Sequence, residues 1–240
     1  MKRKCLPFLT LVFLLGGASA LGAMEPVQKE LDAMKQGFLA KAPSEKVSDF
    51  ERGIDEVADS GVLQQALGTG DKVPDFSLPS AQGGEVSLSE LLKKGPVVLV
   101  WYRGGWCPYC MVHLKAMQEA LGGIRAAGGE VVAISPEIPE KAAETREKNG
   151  FEFPIVSDTG NRIARQFRVV YDLPDYVAAH FQESHMLSEY NGDDSETLPL
   201  AVAYVIDSSG TIRYAYLDAD YRRRAEPEVL LSEVRKLKGL

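Results

Sequence analysis

The chain has 240 residues, 45% hydrophobic and 25% charged, with 22 glycines and 13 prolines dispersed along it; this composition belongs to a globular protein with a sizeable core and excludes a disordered or fibrous chain. Lys and Arg total 27 against 34 Asp and Glu, a net charge of −7, so nucleic-acid binding would work against the overall field. Three cysteines are too few for a disulfide scaffold, and two of them, Cys107 and Cys110, stand three positions apart.

Lys2, Arg3 and Lys4 precede an apolar run over 6–15, and Ala18-Ser19-Ala20 or Leu21-Gly22-Ala23 offers small residues for cleavage. This is the pattern of a secretory signal peptide over residues 1–23. The run is shorter than the roughly 20 apolar residues of a bilayer span, so an uncleaved anchor is the weaker reading. Cys5 lies ahead of the apolar run, where a lipoprotein cysteine would follow it, and leaves with the leader. Loss of three basic residues takes the net charge from −7 to −10. The mature chain is expected to be exported to the periplasm, free of the membrane, with Cys107 and Cys110 as its only cysteines.

Val27, Leu31, Met34 and Phe38, then Val47, Phe50, Ile54 and Val57, recur at helical spacing and predict two amphipathic helices in an extension over 24–67. A one-sided apolar stripe is what any surface helix shows, so the extension reads as a cover over one side of the domain in preference to a docking or dimerisation arm. From Val73 the period changes. Residues 73–78 alternate, a Gly83-Gly84 turn leads to Val86 and Leu88, and a short helix follows over 89–92. Residues 96–102 form a continuous apolar run, as in a strand buried on both faces.

After the cysteine pair, Met111, Leu114, Met117 and Leu121 predict a helix ending at Gly122-Gly123. A strand over 131–134, a helix over 140–148 stopped by Asn149-Gly150, a strand over 154–156 and a helix over 161–168 continue the alternation. Such alternation predicts a mostly parallel sheet with helices on its faces. Residues 172–198 read as an insertion, with one helix from 174 to about 189 and an acidic loop over 191–196. Residues 203–206, a turn at 207–210 and residues 212–216 form an antiparallel hairpin, and Pro227 opens a last helix with Leu230, Val234 and Leu237 inward.

The cysteine pair stands where strand gives way to helix. A cysteine in a first helical turn feels the positive end of the macrodipole and unpaired backbone N–H groups, which favour thiolate. Arg103, four residues upstream, adds positive charge, Pro108 is tolerated in a first turn, and Cys110 falls on the same helix face as Cys107. One thiol can attack and the other resolve. A static disulfide over two intervening residues would close a loop too small to stabilise much, against roughly 3 kcal/mol for a 15-residue loop. Zinc would need two further ligands, drawn from His113, His180 and His185 with no second Cys-x-x-Cys, so neither metal nor cofactor is expected. His113 reads as a surface or packing residue, and His180 and His185 as exposed on the insertion helix.

Trp106-Cys107-Pro108-Tyr109-Cys110 after a hydrophobic strand resembles a thioredoxin-fold active site. Around it stand Gly70-Asp71-Lys72-Val73-Pro74-Asp75-Phe76, Tyr102-Arg103-Gly104-Gly105, Ile134-Ser135-Pro136, Lys148-Asn149-Gly150, Phe153-Pro154, Ser157-Asp158, and Val205-Ile206-Asp207 with Gly210. Together they resemble the peroxiredoxins of the alkyl hydroperoxide reductase and thiol-specific antioxidant family, in its peroxiredoxin-like branch, over about residues 68–238. The resemblance implies an α/β, thioredoxin-like fold with a central mixed sheet flanked by helices, in a domain over 68–240. It also implies a thiol peroxidase in which Cys107 attacks peroxide and Cys110 resolves the sulfenic acid. Arg103 then assists as a charge, Gly104 and Trp106 occupy substrate-binding positions, an external thioredoxin-like dithiol is the reductant, and a homo-oligomer is compatible.

Two departures stand out. Peroxiredoxins carry Thr or Ser three residues before the attacking cysteine, where this chain has Gly104, and an Arg shortly before the Ile-Asp strand, where it has Ala201. Ala201 is not the cis-proline of thioredoxins either; Pro199 lies two residues earlier. These departures keep two rivals in view: a protein disulfide oxidoreductase, and a non-catalytic module binding a partner through residues 27–66 and the insertion.

Overall fold

The computed structural model describes residues 26–182 and 184–239; the leader read over 1–23 lies outside them. Three helices lead in: α1 (Val27–Lys41), α2 (Ser44–Asp59) and the short α3 (Val62–Gln65). The hairpin β1 (Ser77–Pro79) and β2 (Glu85–Ser87) and helix α4 (Leu88–Leu92) follow. The alternating stretch comprises β3 (Val97–Trp101), α5 (Pro108–Ala126), β4 (Glu130–Ser135), α6 (Pro139–Asn149), β5 (Ile155–Ser157) and α7 (Arg162–Gln166). An inserted unit holds β6 (Val170–Asp172), α8 (Asp175–Gln182), α9 (Met186–Asn191) and β7 (Thr197–Pro199), before β8 (Ala201–Ile206), β9 (Ile212–Asp218) and α10 (Pro227–Lys238) close the chain.

The sheet order is β5-β4-β3-β8-β9, with β3 parallel to β4 and antiparallel to β8. The sheet is thus mixed, with its parallel half built by the strand–helix alternation and its antiparallel half by the β8–β9 hairpin. All five residues of β3 are buried, because helices or hairpins cover both of its faces. Val98 and Val100 point into one core with Leu114, Met117 and Leu121 of α5, Leu230 of α10 and Leu31 of α1. Val97, Leu99 and Trp101 point into the other, with Phe76, Leu78 and Phe167. Each such fully buried aliphatic side chain contributes about 1.5–3 kcal/mol by leaving water. A third, smaller core joins Phe50 of α2 to Leu173, Val177, Leu187 and Leu198 of the inserted unit.

Three sequence-based boundaries change. Helix α5 runs through Gly122-Gly123 to Ala126, and Gly123 serves packing: a Cβ there would lie 3.0 Å from Leu231 Cδ2 of α10. The single insertion helix is two, broken where His185 takes φ 49, and the insertion is pinned at its base by antiparallel pairing of β6 with β7. The helix expected over 161–168 is cut to α7, since the Asp158 carboxylate accepts the Ile163 and Ala164 N–H groups and starts the helix late. Pro199 pairs with Val170 in the β6–β7 ladder, and no cis peptide bond occurs among the described residues. No described helix is long and apolar enough to cross a membrane.

Candidate active site

Strand β3 ends at Trp101, and Tyr102 and Arg103 carry the chain off the sheet into a turn closed by the Cys107 N–H donating to the Gly104 carbonyl at 3.0 Å. Cys107 is the N-cap of α5, in extended conformation, with Pro108 in the first turn and no acidic side chain there to oppose the dipole. One helical turn brings Cys110 back, so the two Sγ atoms lie 2.7 Å apart as free, hydrogen-bonded thiols. Cys107 is 1% exposed and Cys110 0%.

Two guanidinium groups flank the dithiol. Arg224, from the segment between β9 and α10, donates from Nη2 to Cys110 Sγ at 3.3 Å. Arg103 is buried with its guanidinium 4.1 Å from the Tyr221 ring centroid and 4.9 Å from that of Trp106. Burial opposes its charge, but Tyr171, Cys107 and the other acidic groups nearby hold its pKa above the ordinary arginine value. Arg103 Nε, Arg224 Nε and Trp106 Nε1 are buried donors with no hydrogen-bond partner. Unpaired buried donors are rare because each forfeits about 1–3 kcal/mol of hydration, and three side chains of this site carry one each.

Burial opposes ionisation of both thiols. At Cys110 the hydrogen bond with Cys107 and the charges of Arg224 and Arg103 prevail and lower the pKa to about 5. Cys107 is pushed well above the usual thiol value by burial, by the hydrogen bond with Cys110 and by the Cys110 charge. The dithiol therefore holds one negative charge and one proton at neutral pH. Arg224 and Arg103 both act on both sulfurs, and the hydrogen bond between the sulfurs favours the Cys110 thiolate.

The turn beneath Trp106 rests on Glu137, a fully buried carboxylate just beyond β4. It accepts from Tyr102 Oη at 2.6 Å, Gly105 N at 2.9 Å, Thr145 Oγ1 at 2.8 Å and Ser135 Oγ at 3.0 Å. Four donors on one carboxylate fix the Arg103–Trp106 turn relative to β4 and α6. Above it, Gly104 has φ 152, and a Cβ there would lie 2.3 Å from Trp106 Nε1. The indole edge fills the space that a residue-104 side chain would need. Trp106 packs edge-on to Phe181 of α8, with ring centroids 5.4 Å apart.

The AhpC/TSA family model matches residues 69–215. The chain belongs to the AhpC/TSA family. Over 97 residues it is 37% identical to a Mycobacterium tuberculosis protein that carries the provisional name of peroxiredoxin Rv2521, an alignment covering 40% of this chain and 61% of that one. Over 153 residues it is 29% identical to peroxiredoxin Bcp of Escherichia coli strain K12, covering 63% of this chain and 86% of the relative. The crystal structure of peroxidoxin BcpB from Mycobacterium tuberculosis superposes with a TM-score of 0.56 at 24% identity, over 71% of this chain and 98% of that one. The thioredoxin-like fold expected from the motifs is the fold of this AhpC/TSA protein.

Cys107, Cys110, Arg103, Gly104 and Trp106 gather at one place, as the motif spacing anticipates. Ala201 is buried at the start of β8 and supplies no charge. Arg224, from beyond the family-matched segment, brings a guanidinium to Cys110 Sγ, and the sequence signal for it is the run Arg222-Arg223-Arg224 in an acidic chain. Glu137 was likewise missed, although it directly follows Ile134-Ser135-Pro136. His113 is buried, donates from Nε2 to the Ala225 carbonyl at 3.1 Å, and is held neutral with a pKa near 3 by burial and by Arg224. It is a packing residue. His180 pairs with Asp49 at 2.9 Å, half-buried where exposure was expected, and no group of three metal-ligating side chains gathers among the described residues.

Proposed function

We propose that this protein is an exported, periplasmic thiol peroxidase that reduces hydrogen peroxide or an organic hydroperoxide with the Cys107–Cys110 dithiol and is recycled by a thioredoxin-like dithiol. The observation that carries this reading is the closed dithiol itself: two sulfurs 2.7 Å apart between two buried arginines, with three side chains of the site each carrying an unpaired donor. A crevice of about 20 Å³, room for about one water, lies on the Arg103 and Tyr221 side of the site, and neither sulfur lines it. Export rests on the basic, apolar and small-residue pattern of residues 1–23.

The chemistry closes on the atoms present. A proton passes from Cys107 to Cys110 across the sulfur–sulfur hydrogen bond. The Cys107 thiolate attacks the terminal peroxide oxygen, an S–O bond forms and the O–O bond breaks. The departing hydroxide or alkoxide takes the proton from Cys110 and leaves as water or alcohol. Arg103 and the unpaired Trp106 Nε1, which occupies the place a residue-104 side chain would take, meet the peroxide oxygens. The Cys110 thiolate then attacks the Cys107 sulfenic sulfur, expelling hydroxide, which is protonated to water, and a disulfide forms. An external dithiol reduces it by exchange.

Membership of the AhpC/TSA family and the likeness to peroxiredoxin Bcp favour this reading over a protein disulfide oxidoreductase. Stopped-flow mixing of the reduced protein with hydrogen peroxide or an alkyl hydroperoxide, beside an insulin-reduction assay, tests the reading. The expected outcome is oxidation at least about 10²-fold faster than free cysteine, the scale of positioned proton transfer, with slow insulin reduction. Oxidation no faster than free cysteine rejects it.

A further inference from the structure

The family-matched segment ends before Arg224 and begins after α1 and α2, yet these outlying parts meet at the dithiol. The Arg224 N–H donates to Gln28 Oε1 at 3.2 Å, and Gln28 Nε2 donates to the Arg222 carbonyl at 3.3 Å, so one α1 side chain grips the 222–224 backbone at two points. The Glu226 carboxylate in turn accepts the Val27 N–H at 2.8 Å and the Gln28 N–H at 3.0 Å, capping the start of α1 where Pro26 has no side chain to do so. Arg222 is 2% exposed and is held by Asp220 at 2.7 Å and by Glu51 of α2, with Nη2 to Glu51 Oε2 at 3.1 Å. The Arg224 guanidinium completes the lock by donating to the Tyr221 and Arg223 carbonyls.

We propose that Arg224 is a catalytic cation of the dithiol, standing in for the family arginine absent at Ala201, and that α1 sets its position through Gln28. This rests on the reading of Cys107 and Cys110 as a redox dithiol and adds to it a working role for the lead-in helices. Among the described residues, the groups that face the sulfurs leave few other candidates for the charge. Tyr102 from the end of β3, Tyr109 and His113 from α5, Tyr171 from β6 and Tyr221 after β9 are all shifted, chiefly by burial, in the direction that keeps them neutral. Glu137 stands behind Tyr102 and is saturated by its four donors. Arg103 and Arg224 remain as the cations, and Arg224 is the one in hydrogen-bond contact with a sulfur.

The test is a titration of the reduced, full-length protein by ultraviolet thiolate absorbance, with no peroxide present. Arg224→Gln is expected to raise the midpoint of the first ionisation by about 1–3 pH units, the usual effect of removing an adjacent opposite charge. Arg224→Lys is expected to restore most of that shift, and Gln28→Ala to produce a smaller rise in the same direction. Lys41→Ala, at the exposed far end of α1, is expected to leave the midpoint alone. An unchanged midpoint in Arg224→Gln overturns the role of Arg224, and an unchanged midpoint in Gln28→Ala overturns that of α1. Should Arg224→Gln fail to fold, Gln28→Ala decides, because it loosens the segment while leaving the guanidinium in the chain. A protein inert to peroxide whose midpoint still moves with Arg224 would retire the peroxidase reading and keep this one.

Discussion

At the scale of single residues, the dithiol was legible because its chemistry is local. A cysteine at a helix start and its partner one turn later are placed by the i, i+3 geometry of one helix, whatever the rest of the fold does. Arg224 and Glu137 were not legible, since their positions relative to Cys107 depend on chain reversals that no local spacing encodes. The exchange between Gly104 and Trp106 belongs here too: the missing hydroxyl looked like a defect, and the structure shows an indole edge with an unpaired N–H in its space. Trp106→Phe is expected to slow oxidation by peroxide by about 5- to 150-fold, the equivalent of losing one buried donor, with the thiolate midpoint unchanged. Stopped-flow rates and the ultraviolet titration check the two halves separately.

His113 gives a pH prediction whose sign follows from its depressed pKa. The folded ring is held near 3 against 6.5 when free, so the neutral form contributes stability that is complete above pH 6.5 and is lost as the pH falls toward 3. Between pH 7 and 5 the loss is about 2 kcal/mol. Urea denaturation of the Cys107→Ser/Cys110→Ser protein, which removes the thiol contribution, is expected to show this drop, and His113→Gln to flatten it by a similar amount.

At the scale of elements, the apolar periodicities located the strands and most helices, since burial of a repeating face is what makes an element stable. They failed where a residue answers to a neighbour from elsewhere in the chain. Gly122-Gly123 reads as a helix stop, yet one glycine faces open space and the other touches Leu231. Gly122→Ala is expected to stabilise by about 0.5–1 kcal/mol through backbone entropy, whereas Gly123→Val is expected to destabilise by about 1–3 kcal/mol through overpacking. Thermal melts of the two variants separate these directions. The insertion is a comparable case: its helix breaks at His185, and α8 delivers Phe181 to Trp106, so an element that looked appended helps close the site.

At the scale of the whole molecule, the lead-in helices join the thioredoxin-like domain at its active edge through Gln28 and Glu51, and the Phe50–Val177 core ties α2 to the inserted unit. Gln28 of α1 and Glu51 of α2 thus contact the 222–224 segment that carries Arg224. If residues 1–23 are removed on export, cell fractionation is expected to recover the protein in the periplasm, and intact-mass measurement to find a chain beginning shortly before Val27, whose N–H anchors to Glu226. A full-length cytosolic product would contradict the proposed localisation.

The amino-acid order alone determined the family frame, the alternation of strands and helices, and the placing of two cysteines at the head of α5, because each depends on interactions within a few turns or on apolar repeats. Only the tertiary structure decided what surrounds the dithiol. Arg224, 114 residues from Cys110, donates to its sulfur, and burial strips water from both sulfurs. Electrostatic energies are set by distance in space and by dielectric surroundings, neither of which is written in the spacing of residues along the chain.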